Sequence, residues 1–383
     1  MDAGLYIHVP FCTSVCPYCD FAVTIAGEER RRAFLDALEI EIRGAVRHGL
    51  RFDTVYLGGG TPSSLAPIQL GRILRAVDSE LELAPAAVRH LEINPEDVSP
   101  ETVTAWRGLG VGFASLGVQS FDDEALAFLG RRHSAEGARR AIRDLLEAGF
   151  ETVSIDLIFG LPGQSAETWR CQLETALELG AHHLSCYQLT VHQKTVFGGR
   201  RHRGELVELD ERMQAELYLL THEILGSAGW RGYEVSNFAS APENRSRHNQ
   251  KYWNHTPYLG LGPSAHSFVD GTRWWKIRKL RLWTSALASG RSAVEGTEVL
   301  TAEQLFLEEV MLGLRTADGV DVAQLGRAYG DVARLDEAAI EDLVASGHVT
   351  RRGDHIRPTP VGMAVADSLV RAVTNERRRP PVR

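Results

Sequence analysis

Apolar residues recur along the first half of the chain in two alternating rhythms. Short runs rich in β-branched and aromatic residues occupy positions 5–9, 54–57, 90–93, 113–118, 153–159 and 183–189. Runs of this length, bounded by polar or turn-forming residues, predict buried strands. Between them, residues 30–47, 68–81, 135–148 and 167–179 carry apolar side chains three or four apart. That spacing places them on one face of a helix. Strand–helix alternation predicts an α/β fold with a parallel sheet and right-handed crossovers, because a right-twisted strand packs its helix back onto the sheet only in that sense. Six such units predict a partial (β/α)6 barrel spanning residues 1–190.

The rhythm changes afterwards. Residues 191–296 read as an irregular extension with one helix at 210–225 and an aromatic-rich stretch at 233–283. Residues 301–370 return to a helical pattern, at 302–314, 322–329 and 336–346, followed by a hairpin turning at Gly353-Asp354. This order resembles a winged helix. Residues 371–383 form a basic tail that reads as a solvated end.

Polar and glycine-rich positions collect just after the strands. Cys12–Cys19 follow the first, Gly58–Thr61 the second, Asn94–Glu96 the third, Gln119 the fourth and Gly160–Gly163 the fifth. In a parallel barrel these positions share one rim, so residues far apart in sequence are expected to line one pocket.

Charge narrows the choice of partners. The 383 residues include 42 basic and 50 acidic side chains, a formal net charge of −8. No general attraction for nucleic acid follows. The helix at 336–346 carries Asp336, Glu337, Glu341 and Asp342 where phosphate contacts need Lys or Arg. No apolar run reaches bilayer length, and the first residues lack a secretory leader's basic and apolar stretches. Thiols that must stay reduced add to the expectation of a cytoplasmic protein.

Three of the five cysteines stand in one loop, with Cys12, Cys16 and Cys19 spaced C-x3-C-x2-C. Three thiolates can hold a [4Fe–4S] cube and leave its fourth iron without a protein ligand, which makes that iron a reaction site. A structural zinc site would need a fourth donor, either His8 or a distant residue. A disulfide framework suits small secreted chains instead. Cys171 and Cys186 fall in a helix and a strand and read as small apolar residues. Tyr56-Leu-Gly-Gly-Gly-Thr-Pro-Ser63 places three glycines after a strand, where a ligand can approach the main chain closely.

The cysteine spacing resembles the radical S-adenosylmethionine (SAM) superfamily. Leu5-Tyr-Ile-His-Val-Pro-Phe-Cys12, Leu91-Glu-Ile-Asn-Pro95, Gly117-Val-Gln-Ser-Phe121, Leu129-Gly-Arg-Arg-His133 and Ile155-Asp-Leu-Ile-Phe-Gly-Leu-Pro162 resemble one branch of it. That branch holds the oxygen-independent coproporphyrinogen III dehydrogenases and the HemW-type haem chaperones. The resemblance implies a radical SAM barrel with a C-terminal winged-helix-like module. It implies a [4Fe–4S] cluster on Cys12, Cys16 and Cys19. It also implies SAM held by Tyr6, Gly59, Gly60, Thr61, Glu92, Gln119, Arg131 and Asp156. The chemistry suits these types: carboxylates accept from ammonium or ribose hydroxyls, Gln119 both donates and accepts, and an Arg fork pairs with a carboxylate.

Three features favour the chaperone. Phe21 stands where the dehydrogenases carry a further cysteine. Those enzymes also carry a long N-terminal extension, whereas here the first strand comes within a few residues. Ser246-Arg-His-Asn-Gln-Lys-Tyr-Trp253 matches the H-N-x-x-Y-W motif of the HemW type. The resemblance then makes His248 the haem ligand, Tyr252 and Trp253 pocket walls, and His266 a second candidate. The implied partners are haem, apo-haem acceptors such as respiratory enzymes at the inner membrane face, and a second copy of the chain. The alternative is decarboxylation of porphyrinogen propionates by a SAM-derived radical. One segment departs from the pattern: His192-Gln-Lys-Thr195 replaces the Glu-Pro-Gly-Thr of many relatives, ahead of Arg200, Arg201 and Arg203. That triad is either a set of propionate partners or a solvated charge run.

Overall fold

The computed structural model describes residues 2–374. Six parallel strands pair in chain order: β1 (Ala3–Val9), β2 (Arg51–Gly59), β3 (Glu82–Ile93), β4 (Val111–Gln119), β5 (Thr152–Phe159) and β6 (His183–Gln188). The crossovers are α1 (Glu28–Ala45), α2 (Pro67–Glu80), α3 (Pro100–Gly108), the pair α4 (Asp123–Phe128) and α5 (Ala135–Glu147), and α6 (Ala166–Glu178). Serine or aspartate side chains cap four of these helices: Ser99, Asp122, Ser134 and Ser165 each accept from a backbone N–H of the first turn. Such caps satisfy donors that the helix itself cannot. This is the expected α/β partial barrel.

Strand parity sorts the side chains. On β1 and β2, Leu5, Ile7, Val9, Val55 and Leu57 are fully buried against the helices. Phe34 of α1 packs edge-on against Phe11 and beside Trp283 within the same core. Alternate residues face the barrel interior. Register aligns Tyr6 with Tyr56, Tyr56 with His90, Glu92 with Ser115, and Asp156 with Ser185. Polar groups from all six strands therefore meet at neighbouring levels inside the barrel.

The region expected to be irregular extends the sheet instead. After α7 (Val196–His202) and α8 (Glu211–Ser227), β7 (Arg231–Gly232) and β8 (Asn237–Ala239) add antiparallel strands beside β6. Next comes α9 (Arg247–Trp253), and then β9 (Tyr258–Leu261) pairs in parallel with β1. The strands β10 (His266–Val269) and β11 (Thr272–Lys276) follow, then α10 (Leu280–Ala288) and β12 (Val294–Val299), completing a twelve-stranded sheet. The β10–β11 turn is Asp270-Gly271, both at positive φ. That dipeptide is a hairpin signal in its own right.

The C-terminal module contains α11 (Ala302–Gly313), β13 (Val320–Asp321), α12 (Val322–Tyr329), α13 (Glu337–Ala345), β14 (Val349–Arg352), β15 (His355–Pro358), α14 (Pro360–Met363) and α15 (Ala366–Val373). Its three strands pair in the order β13-β15-β14, and Phe306, Val310, Leu325, Ile340, Ile356 and Leu369 form a separate small core. Helices with a β-hairpin wing match the expected module. Arg273 of β11 forks onto Glu308 of α11 at 3.0 and 2.8 Å, tying the module to the sheet. Of the basic tail, positions 375–383 lie outside the described residues.

Candidate functional site

The loop after β1 is cinched at its base. Cys12 N–H donates to Thr24 O at 3.1 Å, Thr24 N–H donates to Pro10 O at 2.7 Å, and Phe11 is fully buried beneath. A turn closes Cys16 onto Cys19, whose N–H donates to Cys16 O at 3.1 Å. His8 pins the far side: its Nε2 lies 2.9 Å from Ala22 O and its Nδ1 3.0 Å from the Tyr6 hydroxyl. The three cysteines are free thiols on one wall of a cavity of about 440 Å³. Among the described residues, no three His, Cys, Asp or Glu side chains converge on a point suited to a single metal ion.

The glycine loop closes directly onto this wall. A Cβ on Gly59 would fall 2.4 Å from the His8 ring, and Gly59 itself holds φ +111°. A Cβ on Gly60 would meet Phe11 O at 2.7 Å. Only glycine permits both the left-handed backbone and the close approach. Thr61 N–H donates to Phe11 O at 2.7 Å, and the Thr61 hydroxyl points at Cys12 Sγ, 3.6 Å away.

Opposite lies a polar wall. Arg131 donates to Asn94 Oδ1 and Gly117 O, both at 2.8 Å, and its other Nη lies 3.5 Å from Cys16 Sγ. Each sulfur thus faces a donor: the Thr61 hydroxyl on Cys12, the Arg131 guanidinium on Cys16 and the Phe21 backbone N–H on Cys19, an arrangement that orients sulfurs as metal ligands. Burial pushes the Cys12 thiol up to about 11, against the Thr61 hydrogen bond and the charge of Arg131. Glu92 accepts from the Tyr56 hydroxyl and from Gly59 N–H, both at 2.9 Å. Burial, and then the nearby Asp156, lift its carboxyl to about 7. Burial likewise lifts Asp156 to about 6, against hydrogen bonds from Ser185 and Ser115 and the charge of Arg131. Two carboxyls whose ionisation burial disfavours, close together in one wall, suit a cationic ligand, since a positive charge there favours ionising both.

Gly59, Gly60, Thr61, Glu92, Gln119, Arg131 and Asp156 all line the cavity with the cysteines. Gln119 holds a left-handed φ of 69° at the end of β4. Tyr6 is not among them. Its hydroxyl is spent on His8, one level beneath, where it supports the loop. Ser115 lines the cavity, while Tyr56 and Ser185 stand behind it and bond the Glu92 and Asp156 carboxyls; the sequence motifs do not single out any of the three. The signal was parity: each lies on an inward-facing strand position that register aligns with a recognised residue or its neighbour.

The haem expectation needs correction. His248, Tyr252 and Trp253 come together on α9, but His248 is packed beneath the barrel rather than in the cavity. It is 1% exposed, with Nδ1 2.8 Å from Thr54 Oγ1 and Nε2 2.8 Å from the Tyr252 hydroxyl. Its ring stacks on Tyr56, and Trp253 lies beside Tyr233. In this arrangement neither ring nitrogen is free for iron. His266 is exposed on β10 and stacks on Trp275, away from the cavity lining. The arginine triad is also engaged: Arg201 pairs with Glu208, Arg203 with Glu205, and Arg200 lies over the Phe128 and Phe197 rings. Cys171 is exposed, and Cys186 is buried in β6.

Comparison with known proteins agrees with this geometry. Residues 6–170 match the radical SAM superfamily and residues 300–365 the HemN C-terminal domain. The chain is 36% identical to the protein named "Heme chaperone HemW" of Mycobacterium tuberculosis, across 97% of this chain and 94% of that one. The protein of the same name in Bacillus subtilis is 33% identical, across 97% and 99%. The chain belongs to the HemW family of radical SAM proteins. The solved structure of Escherichia coli HemN, a coproporphyrinogen III oxidase, overlays this HemW-family chain with a TM-score of 0.83 at 22% identity, covering 97% of this chain and 89% of that one. The fold is shared throughout. Radical SAM membership implies a [4Fe–4S] cluster and SAM. The cavity fits both: three free thiols share a wall, donors face the sulfurs, and paired carboxyls stand opposite.

Proposed function

We propose that this chain is a haem chaperone. It takes up haem and passes it to apo-haem proteins, while keeping a [4Fe–4S] cluster on Cys12, Cys16 and Cys19 and a SAM site beside it. The observation that carries this reading is full-length similarity, at 33–36% identity, to proteins named as haem chaperones. Gly59, Gly60 and Thr61 would cradle the methionine end of SAM, Glu92 and Asp156 would take its positive and hydroxyl groups, and Arg131 and Gln119 its carboxylate. Bound there, the cluster and SAM supply one-electron cleavage of a sulfonium. The protein groups around them position, neutralise and exclude water. Among the described residues no helix is long and apolar enough to cross a membrane. A cytoplasmic chain that meets its acceptors at the membrane face, as a homodimer, completes the proposal. The test is haem transfer from anaerobically reconstituted protein to an apo-haem protein, followed by the Soret band. Failure to bind or release haem refutes the reading.

A second reading is radical decarboxylation of a porphyrinogen, favoured by the complete set of cavity residues on a HemN-like fold. Exposed Phe21 in the cysteine loop, with no fourth thiol beside the cluster ligands, counts against it. An anaerobic assay that releases CO2 from coproporphyrinogen III with SAM and reductant would establish it.

A further inference from the structure

The donors that face Cys12 and Cys16 are linked, because one side chain stands between them. Asn94 follows β3. Its Oδ1 accepts from Arg131 at 2.8 Å, and its Nδ2 donates to the Thr61 hydroxyl at 3.3 Å. Its backbone N–H donates to Ser63 Oγ at 3.1 Å, and Ser63 donates to Asp97 Oδ2 at 2.6 Å, so main chain and side chain are both held. Arg131 and Thr61 then reach the sulfurs, at 3.5 Å from Cys16 Sγ and 3.6 Å from Cys12 Sγ.

Donor and acceptor counts fix the direction of each bond in this chain. A guanidinium offers donors and no acceptor, so the Asn94 amide must turn its oxygen to Arg131. The NH2 group is then left facing Thr61, where it takes a lone pair of the hydroxyl. That hydroxyl has a single hydrogen, which cannot point back at a donor. Among the described residues its acceptor is Cys12 Sγ. Thr61 is 7% exposed, so water has little access to compete. Arg131 thus acts on two sulfurs, on Cys16 directly and on Cys12 through two intermediate groups. The donor on Cys19 is the main chain at Phe21, which this relay does not touch. Hydrogen bonds to the sulfurs are among the factors that set the reduction potential of an iron–sulfur cluster. A hydrogen aimed at sulfur favours the state that carries the extra electron, so losing it lowers the potential.

We propose that Asn94 is a positioning residue: oriented by Arg131, it aims the Thr61 hydroxyl hydrogen at the Cys12 sulfur and so tunes the cluster from outside its ligand set. This rests on the reading of the three thiols as cluster ligands and is independent of the cargo.

The experiment is a redox titration of the full chain, reconstituted anaerobically and read by EPR without SAM, with iron and sulfide content as the control for an intact cluster. Parent, Thr61→Val, Asn94→Asp and the double variant are compared. Valine keeps the shape of threonine and loses the hydroxyl. Aspartate keeps the shape of asparagine and still accepts from Arg131, but its second oxygen accepts where the amide donated, which draws the Thr61 hydrogen off the sulfur. In the parent, Thr61→Val should lower the potential, by up to about tenfold in the reduction equilibrium, or ~59 mV for one electron. Thr61→Ser, which keeps the hydroxyl, should restore the parent value. In the Asn94→Asp chain, where the hydrogen already points elsewhere, Thr61→Val should cause no further shift. Asn94→Ala frees the hydroxyl to rotate and should shrink the same shift; it serves if the aspartate chain holds no cluster. An asparagine that only filled space would leave the Thr61→Val shift equal in both backgrounds, because the effects of uncoupled sites add. Equal shifts, or no shift on Thr61→Val in the parent, overturn the relay while leaving the cluster in place. A parent chain that takes up no [4Fe–4S] cluster overturns the relay and the cluster reading together.

Discussion

Replacing Glu92 with Gln separates the cost of the cavity from its use. The Glu92 carboxyl sits in the cavity wall with its usual value of 4.5 raised to about 7. The sign follows from which state holds the proton. Between about 4.5 and 7 the folded, ligand-free chain binds a proton that the unfolded chain has released, so stability falls as pH rises through this window and is lowest above it. A shift of this size corresponds to at most about 3 kcal/mol, at ~1.4 kcal/mol per pH unit, and water entering the open cavity makes that a ceiling. Glutamine removes the charge and keeps the shape. Its amide oxygen can accept from Gly59 N–H, and its NH2 can donate to the Tyr56 oxygen, so both 2.9 Å contacts survive. The ligand-free variant should therefore melt higher than the parent at pH 8 and match it near pH 5. Its SAM affinity should move the other way. Losing a charge-assisted hydrogen bond costs about 1.5–3 kcal/mol, roughly 10- to 150-fold in affinity. Thermal melts at the two pH values and anaerobic calorimetry with SAM measure both arms. A variant that melts lower than the parent at pH 8, or binds SAM as tightly, refutes the reasoning.

Two further substitutions test how the loops are held. Gly59→Ala would drive a methyl group into the His8 ring at a backbone conformation that only glycine adopts freely. It should cost about 1–3 kcal/mol of strain and lower the iron content after reconstitution, measured against unchanged far-UV circular dichroism. His248→Ala would leave Thr54 and Tyr252 without their shared partner and open a hole beneath the barrel. It should destabilise the chain by roughly 2–4 kcal/mol in thermal melts while SAM affinity stays within about twofold of the parent, because it removes packing and not a cavity group.

The six barrel strands were legible because each is a short apolar run between polar turns, and the crossover helices because their apolar faces repeat. The cavity residues were legible for the same reason: a parallel sheet gathers its strand ends on one rim, so Cys12, Gly59, Glu92, Gln119 and Asp156 had to be neighbours. The strands of residues 231–299 were not. They run from two to six residues, and β9 finds its partner β1 some 250 positions away, a pairing that no local pattern encodes. Tyr6 stands in the motif and so reads as a ligand contact; the side-chain geometry places its hydroxyl 3.0 Å from His8 Nδ1 instead. His248 misled similarly. A histidine, a tyrosine and a tryptophan in one short segment satisfy the chemistry of a haem wall and of a buried plug equally well, and only burial separates them.

The proposed function requires that three thiols hold a cubane whose remaining iron opens onto the carboxyl-lined cavity. Mössbauer spectra of 57Fe-reconstituted protein, recorded with and without SAM, test it most directly. The claim predicts a [4Fe–4S] signal in which one iron becomes distinct when SAM is added. Iron in another form, or a cluster whose spectrum ignores SAM, contradicts it.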